Sequence, residues 1–266
     1  MNRHIIFLFF QMNRLFLDIN TCLNQYFEPI GLKDLERVEL MDRQDTKYFF
    51  RADLLPEILR KIGQYYNVLE IENRRCFQYD SLYYDTPNFK LYHQHHNRRL
   101  NRYKIRYRKY VESDLTFFEV KLKSNKGRTI KERVKCNDIQ PQLSQHVFDF
   151  LQKKIGADAG ELQPQMQISY KRITLADKGF KERVTIDLDM NFARGDAHYP
   201  FGELAIVEIK QGKFDRQSPF ITALHELHIL PGSLSKYCFA VAQHCEGVKT
   251  NRFKKLMRRV EKINAQ

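Results

Sequence analysis

Residues 102–110 read RYKIRYRKY. Arg102, Lys104, Arg106 and Arg108 fall on one face, and Tyr103, Ile105 and Tyr107 on the other. A period of two over nine residues predicts a β-strand. Glu112, Ser113 and Asp114 then make a turn into a second strand, LTFFEVKLK at 115–123. SNKG at 124–127 is the next turn, with Asn125 and Gly127 suited to positive φ. TIKERVK at 129–135 completes a meander. Its strands repeat the division. Glu119, Lys121 and Lys123, then Lys131, Arg133 and Lys135, lie on one face, while Phe118, Val120, Leu122, Ile130 and Val134 lie on the other.

The same parity extends toward the C-terminus. Strands are predicted at 165–175, 180–190 and 203–211, after a helix at about 142–155. They carry Tyr170 with Arg172, then Lys181, Arg183, Asp187 and Asp189, then Glu208 with Lys210. The opposite face is again apolar: Ile173, Leu175, Val184, Ile186, Leu188, Val207 and Ile209. Helices follow at about 217–228, 234–246 and 250–264. Toward the N-terminus, 74–84 is a strand, and DTPNFKLYHQHH after it opens as a turn or short helix. Asp53 is placed to cap a helix running to about Tyr65, with Pro56 in its first turn. Residues 12–36 are predicted helical from Leu15, Ile19, Leu23 and Phe27. Seven or eight antiparallel strands with peripheral helices make an α+β pattern.

A single strand with one polar face is an ordinary sheet surface. Five or six such strands side by side are different, because like charges opposite each other destabilise a sheet. An anionic ligand would remove the repulsion. The expected architecture is a closed β-barrel with a charged lumen and an apolar outer face covered by the helices. Such a lumen is too narrow for duplex nucleic acid and suits a linear chain of phosphates, for which Arg supplies bidentate forks and Lys mobile point charges. Glu119, Glu208, Asp187 and Asp189 on the same face would need a cation or Arg beside them. Hard oxygen ligands of this kind suit Mg2+ or Mn2+.

Composition agrees with an anionic partner. The 266 residues hold 45 Lys and Arg against 32 Asp and Glu, a formal charge of +13. There is no low-complexity segment, repeat or Pro/Gly-rich linker. The apolar run Ile5–Phe10 is too short to span a bilayer, and no signal-peptide cleavage pattern follows it. It reads as a packed or frayed extension, or Met12 is the natural start. Cys22, Cys76, Cys136, Cys238 and Cys245 form no C-x-x-C pair and read as reduced thiols of a cytoplasmic protein. There is no Walker A loop and no G-x-G-x-x-G. His93, His95 and His96 read as a solvated or structural stretch, His225 and His228 have no third ligand nearby, and the basic run from Lys249 to Arg259 reads as a solvated face.

The motifs taken in order resemble a known family. They are RQDTKYFF (43–50), LYYDTPNFKLY (82–92), NRYKIRYRKY (101–110), FFEVKLKSNKGRTIKER (117–133), SYKRITL (169–175), ERVTIDLD (182–189), AIVEIKQ (205–211) and SLSKYC (233–238). Together they resemble the vacuolar transporter chaperone (VTC) domain, the polyphosphate polymerase branch of the CYTH-like triphosphate tunnel metalloenzymes, over about Glu36 to Glu246. The resemblance implies a closed eight-stranded antiparallel tunnel. It implies that Lys47, Arg106, Arg108, Lys121, Lys131, Arg172, Arg183 and Lys236 hold a nucleotide triphosphate or product chain, and that Glu208 is a metal ligand. Lys236 is expected at a helix start, closing one mouth. The wider superfamily opens with an E-x-E-x-K strand. Here the matching face reads Arg43, Asp45, Lys47, and loss of the glutamate pair argues against two-metal triphosphate hydrolysis.

The implied reaction is metal-dependent transfer of the γ-phosphoryl group of ATP to a growing polyphosphate chain, by positioning and charge neutralisation. The candidate catalytic residues are Arg106, Arg108, Lys121, Arg172 and Arg183. Lys47, Lys104, Lys131, Arg133, Lys210 and Lys236 are candidate phosphate contacts. Glu208 and Glu119 are candidate ligands for Mn2+ or Mg2+. A tunnel phosphohydrolase and a non-catalytic polyphosphate-binding module are the alternatives. The expected partners are ATP, triphosphate and polyphosphate, with no specific nucleic acid. Fungal members of the family carry transmembrane segments; with none visible here, coupling to transport would need another protein. The expected organisation is a helical extension at 1–35, the tunnel domain at 36–247 and a basic helix at 248–266.

Overall fold

The computed structural model describes residues 3–36 and 44–265, with side chains from residue 12 onward. Arg43, the first residue of the N-terminal motif, lies outside the described residues. In chain order the elements are α1 (Arg3–Tyr26), β1 (Glu28–Ile30), α2 (Leu32–Glu36), β2 (Gln44–Arg51), α3 (Leu55–Ile62), β3 (Tyr66–Leu69) and β4 (Phe77–Asp85). Then come α4 (Lys90–His96), β5 (Arg102–Tyr110), β6 (Leu115–Lys123), β7 (Thr129–Cys136), α5 (Gln145–Ile155) and β8 (Gln163–Asp177). The chain continues with β9 (Glu182–Arg194), β10 (Ala197–Pro200), β11 (Leu204–Gln211), α6 (Pro219–Glu226), α7 (Lys236–His244) and α8 (Lys254–Asn264).

Eight strands pair antiparallel in the order β2-β11-β9-β8-β4-β5-β6-β7. β10 adds to β9, and β3 to the far end of β8 with β1 parallel beside it. The sheet curls so that all eight strands of the main path contribute to one cavity. It does not close. β2 and β7 end the path and are not hydrogen-bonded to each other, which corrects the expected closed barrel. The sequence of β7 explains the open edge. Lys131, Glu132, Arg133 and Lys135 are exposed there, and long charged side chains on a terminal strand resist further pairing. Ile130, on its outer face, is 47% exposed.

Away from the β7 edge the outer face is apolar and covered. Ile173, Leu175, Val184, Ile186, Leu188, Val207 and Ile209 pack with Ile19 and Leu23 of α1, Ile58 and Leu59 of α3 and Phe220 of α6. Gly63 follows α3 because a Cβ there would come within 2.5 Å of Tyr26 Cβ. Val147 and Leu151 of α5 cover Ile105, Tyr107, Phe118 and Val120. The concave face is filled at one end by α7, whose Tyr237, Cys238 and Val241 pack on Tyr83, Ile168, Phe192 and Ile206.

Two local expectations change. Asp53 does not cap α3. It sits in the preceding turn, Ala52–Leu54, where its carboxylate accepts from Arg51 Nε at 2.8 Å. Asp189 does not follow Asp187 into the cavity. The β8–β9 register shifts there, Asp189 has φ +50°, and its carboxylate instead meets Lys171 at 2.9 Å. A bulge inserts one residue and re-aims the side chains beyond it, which simple parity misses. Lys181 precedes β9 and is exposed.

Candidate active site

Register builds the site. Lys104 on β5 stands opposite Lys121 on β6, which stands opposite Lys131 on β7. One rung deeper, Arg106 faces Glu119. Across the cavity Arg172 faces Asp187, Lys47 faces Glu208, and Lys210 faces Asp45. These side chains, with Arg108, Lys236, Tyr83, Tyr170, Ile206, Leu234 and Ser235, line a chamber of about 250 Å³. Among the described residues the wall holds nine Lys and Arg against four carboxylates, an excess of five positive charges.

Six of the cations are arranged around three carboxylates. Arg106 donates Nε and Nη2 to Glu119 Oε2 at 2.9 and 2.7 Å, and Lys131 meets the other oxygen. Arg172 makes a two-point contact with Asp187 at 2.6 and 2.8 Å, and Lys236 joins it. Lys47 and Lys210 flank Glu208. Burial opposes ionisation of all three carboxylates, but the cations prevail and hold them ionised. Glu119, beside Arg106, Arg108 and Lys131, falls to about 2. Asp187 and Glu208 also lie well below the usual range, through Arg172 with Lys236 and through Lys210 with Lys47.

Lys104, Arg108 and Lys121 have no carboxylate partner among the described residues. Lys104 donates to Ser235 Oγ at 2.8 Å. Arg108, 8% exposed, donates Nη2 to Tyr170 OH at 2.8 Å. Lys121 is reachable from the cavity, yet desolvation, with Lys104 next to it, pulls its ammonium down to about 8. These three carry positive charge toward the chamber with no carboxylate in direct contact among the described residues.

Aromatic rings brace the cations. Tyr79 and Tyr170 stack at 5.3 Å. Arg172 lies 5.0 Å from the Tyr79 centroid, and Lys236 4.6 Å from that of Tyr170. Tyr83 accepts from Arg106 Nη1 at 2.7 Å. Burial pushes the Tyr83 phenol up, but Arg106, Arg108 and Lys104 bring it below its ordinary value. Sequence reasoning missed Tyr79 and Tyr83; the period-two pattern places them on the Arg108 face once β4 is registered against β5. The LYYDTPNFKLY stretch holds Tyr83 in place. Asp85 at its centre is fully buried and accepts from the backbone N–H of Thr86, Leu91 and Tyr92 at 2.8 Å and from Tyr237 OH at 2.6 Å. It joins β4, α4 and α7.

Of the candidate residues, Lys47, Lys104, Arg106, Arg108, Glu119, Lys121, Lys131, Arg172, Glu208, Lys210 and Lys236 line the chamber. Arg133 and Arg183 do not. Arg133 lies on the same face of β7 but turns onto the Phe117 ring, 4.3 Å from its centroid. Arg183 stands opposite Lys210 beyond the chamber and donates to the Leu35 carbonyl of α2. Ser235 caps α7 through Cys238 N, and Lys236 begins that helix as expected.

The carboxylates differ in what they offer a divalent cation. Glu119 and Glu208 are each flanked by two cations, but the Glu119 side chain is only 2% exposed against 21% for Glu208, so an entering metal meets Glu208 and not Glu119. Glu208 and Asp45 are diagonal neighbours on adjacent strands, and both line the chamber and its mouth. One or two carboxylates completed by phosphate oxygens is an ordinary Mg2+ arrangement. No group of three His, Cys, Asp or Glu able to hold a metal by themselves occurs among the described residues. His225 and His228 are exposed.

The VTC domain model matches residues 42–245, and the chain belongs to that family. A candidate adenylate cyclase from Bacillus halodurans shares the fold at TM-score 0.50 and 12% identity, over 77% of this chain and all of that one. A candidate adenylyl cyclase from Hippeastrum with a dominant triphosphatase activity aligns at TM-score 0.43 and 15% identity, over 74% and 93% of the two chains. The RNA triphosphatase Pct1 of S. pombe aligns at TM-score 0.21 and 12% identity, over 71% and 57%. No curated protein matches the sequence. No helix among the described residues is long and apolar enough to cross a membrane.

Proposed function

We propose that the protein is an ATP-dependent polyphosphate polymerase working in the open-sided channel. The observation that carries this reading is the surplus of cations. Lys104, Arg108 and Lys121 remain without carboxylate partners among the described residues after Glu119, Asp187 and Glu208 are each shared by two cations. A triphosphate supplies the negative charge they lack.

Arg108, Lys104 and Lys121 hold the triphosphate, with Arg172, Lys236, Lys47 and Lys210 around it. Arg106 is held by Glu119 and Tyr83 and reaches phosphate only by sharing its fork. The terminal oxygen of the acceptor chain is already ionised, so no side-chain nucleophile or strong base is needed. It forms a bond to the γ-phosphorus in line with the bond to the β-phosphate oxygen, which breaks and leaves on ADP with the electron pair. Fixed cations aimed at the spreading charge lower the barrier without reorganising. Glu208, with Asp45, would hold Mn2+ or Mg2+, which when bound neutralises charge on the phosphates.

The test is incubation with ATP and manganese, followed by gel separation and polyphosphate staining. A ladder of chains supports the polymerase. Free phosphate without chains points to a hydrolase, and thermal stabilisation by tripolyphosphate without turnover to a binding module.

A further inference from the structure

The chamber opens into a larger vestibule of about 720 Å³. Its inner wall is shared with the chamber through Asp45, Lys47, Lys104, Lys121 and Glu208. Its outer wall adds Arg98, Arg102, Lys123 and Arg252, and no further carboxylate among the described residues. None of these four cations has an ion-pair partner among the described residues.

Arg102 is held ready by neutral groups. Its Nε donates to His95 Nδ1 at 3.2 Å, and its Nη1 donates to the Arg99 carbonyl at 2.8 Å. His95 Nε2 lies 3.2 Å from the Tyr103 carbonyl, so it carries the proton and leaves Nδ1 as acceptor. Burial, with Lys104 and Arg102 nearby, keeps this imidazole neutral, down to about 3. The histidine stretch therefore has a job: it orients an arginine without neutralising it. The loop carrying Arg98 and Arg102 is tied to the β6–β7 turn by Asn125 N donating to Asn101 Oδ1 at 2.9 Å. Arg252 comes from the turn that opens α8, and its backbone N–H donates to His96 Nε2 at 3.3 Å. Three separate segments thus bring uncompensated cations to one rim.

We infer that this rim is an outer phosphate site, which holds the part of a linear polyphosphate chain that extends beyond the chamber. The inference rests on the chamber being the triphosphate site and extends it outward. Charge selects the ligand, since a chain of phosphates can occupy chamber and rim together, whereas tripolyphosphate fills the chamber alone. The rim then supplies affinity for long chains and keeps a growing product attached between additions.

The test compares binding of tripolyphosphate and of long-chain polyphosphate by calorimetry at several salt concentrations. The proteins are wild type, Arg98→Gln/Arg252→Gln and Arg102→Gln. The rim engages up to four extra phosphates. The wild-type salt dependence of log K is therefore expected to be steeper for long chains by about two to three, at ~0.7 per neutralised phosphate. The double variant, exposed at both positions, is expected to lose about half of that difference while tripolyphosphate affinity stays within about twofold, because exposed charges act weakly at a distance. Long chains bound no more steeply than tripolyphosphate, or steeply but equally in all three proteins, would overturn the rim and leave the chamber standing. Binding of neither ligand would overturn both.

Discussion

Lys104 and Lys121 stand directly opposite each other on β5 and β6, with Lys131 next in the same rung. Opposed like charges cost a sheet stability, and here Lys104 donates to a neutral hydroxyl, Ser235 Oγ, and meets no carboxylate among the described residues. In the proposed function this rung binds the negative charge of the phosphates. An anion that bridges it is stabilised by the charges and also relieves their repulsion.

The first prediction concerns pH. Lys121 titrates near 8 in the free protein, and a bound phosphate would favour its charged form. Binding above neutrality should therefore take up a proton, and this contribution to affinity should fall as pH rises from 7 toward 9. Arg does not titrate there, so Lys121→Arg should flatten the profile. Calorimetry of tripolyphosphate in two buffers of different ionisation heat measures the proton uptake. Equal profiles for both proteins would refute the role given to Lys121.

Arg108 and Arg106 should separate affinity from stability. Arg108 donates only to neutral groups, so Arg108→Gln should weaken tripolyphosphate binding by about 1.5–3 kcal/mol, the scale of hydrogen bonds to charged groups. Its melting temperature should change little. Arg106→Gln leaves buried Glu119 with Lys131 as its remaining direct ion-pair partner among the described residues, and breaking a buried pair costs about 3–5 kcal/mol. It should lose stability as well as binding. Thermal melts and binding titrations of both variants distinguish them. Equal loss of stability would mean that the ion-pair arrangement is misread.

Acid should unfold the protein through the ion-paired chamber carboxylates Glu119, Asp187 and Glu208. Each has a folded value below its ordinary one, so its stabilisation is present above the unfolded value and is lost as pH falls through the folded value. For Glu119 that window runs from 4.5 down to about 2, and for Asp187 and Glu208 it extends lower still. Denaturant melts across this range should show a steep decline, shallower in Glu119→Gln even though that variant starts less stable. A pH-independent midpoint from 5 to 2.5 would contradict the ion-pair assignments.

Ser235 joins the fold to the site, since it caps α7 and accepts from Lys104. Ser235→Ala should cost about 1 kcal/mol of stability, as lost caps do, and should leave Lys104 less well placed. Ser235→Thr, which keeps the hydroxyl, should restore most of both in melts and binding titrations.

The charged face of the meander was legible because strands β5, β6 and β7 alternate without interruption, and the outer apolar face was legible for the same reason. Closure was not. Whether β2 and β7 meet depends on edge chemistry and sheet curvature, and the long charged side chains of β7 leave its edge open. Asp189 was misplaced because a bulge breaks the period of two. Arg183 kept its parity but lay too far along β9 to reach the chamber. Glu119 was read as a metal ligand because alternation reports the face and not the depth; only the fold shows it buried, with Arg106 and Lys131 on its oxygens. The rim was hidden because its cations come from segments about 150 residues apart, Arg98 to Arg252.

The most direct test of the central claim is a phosphate balance with purified protein, ATP and manganese. ADP, free phosphate and acid-stable polyphosphate are measured in the same reaction. ADP is expected equimolar with phosphate incorporated in chains, and the activity lost in Arg108→Gln. ADP matched by free phosphate, with no chains formed, would contradict that claim.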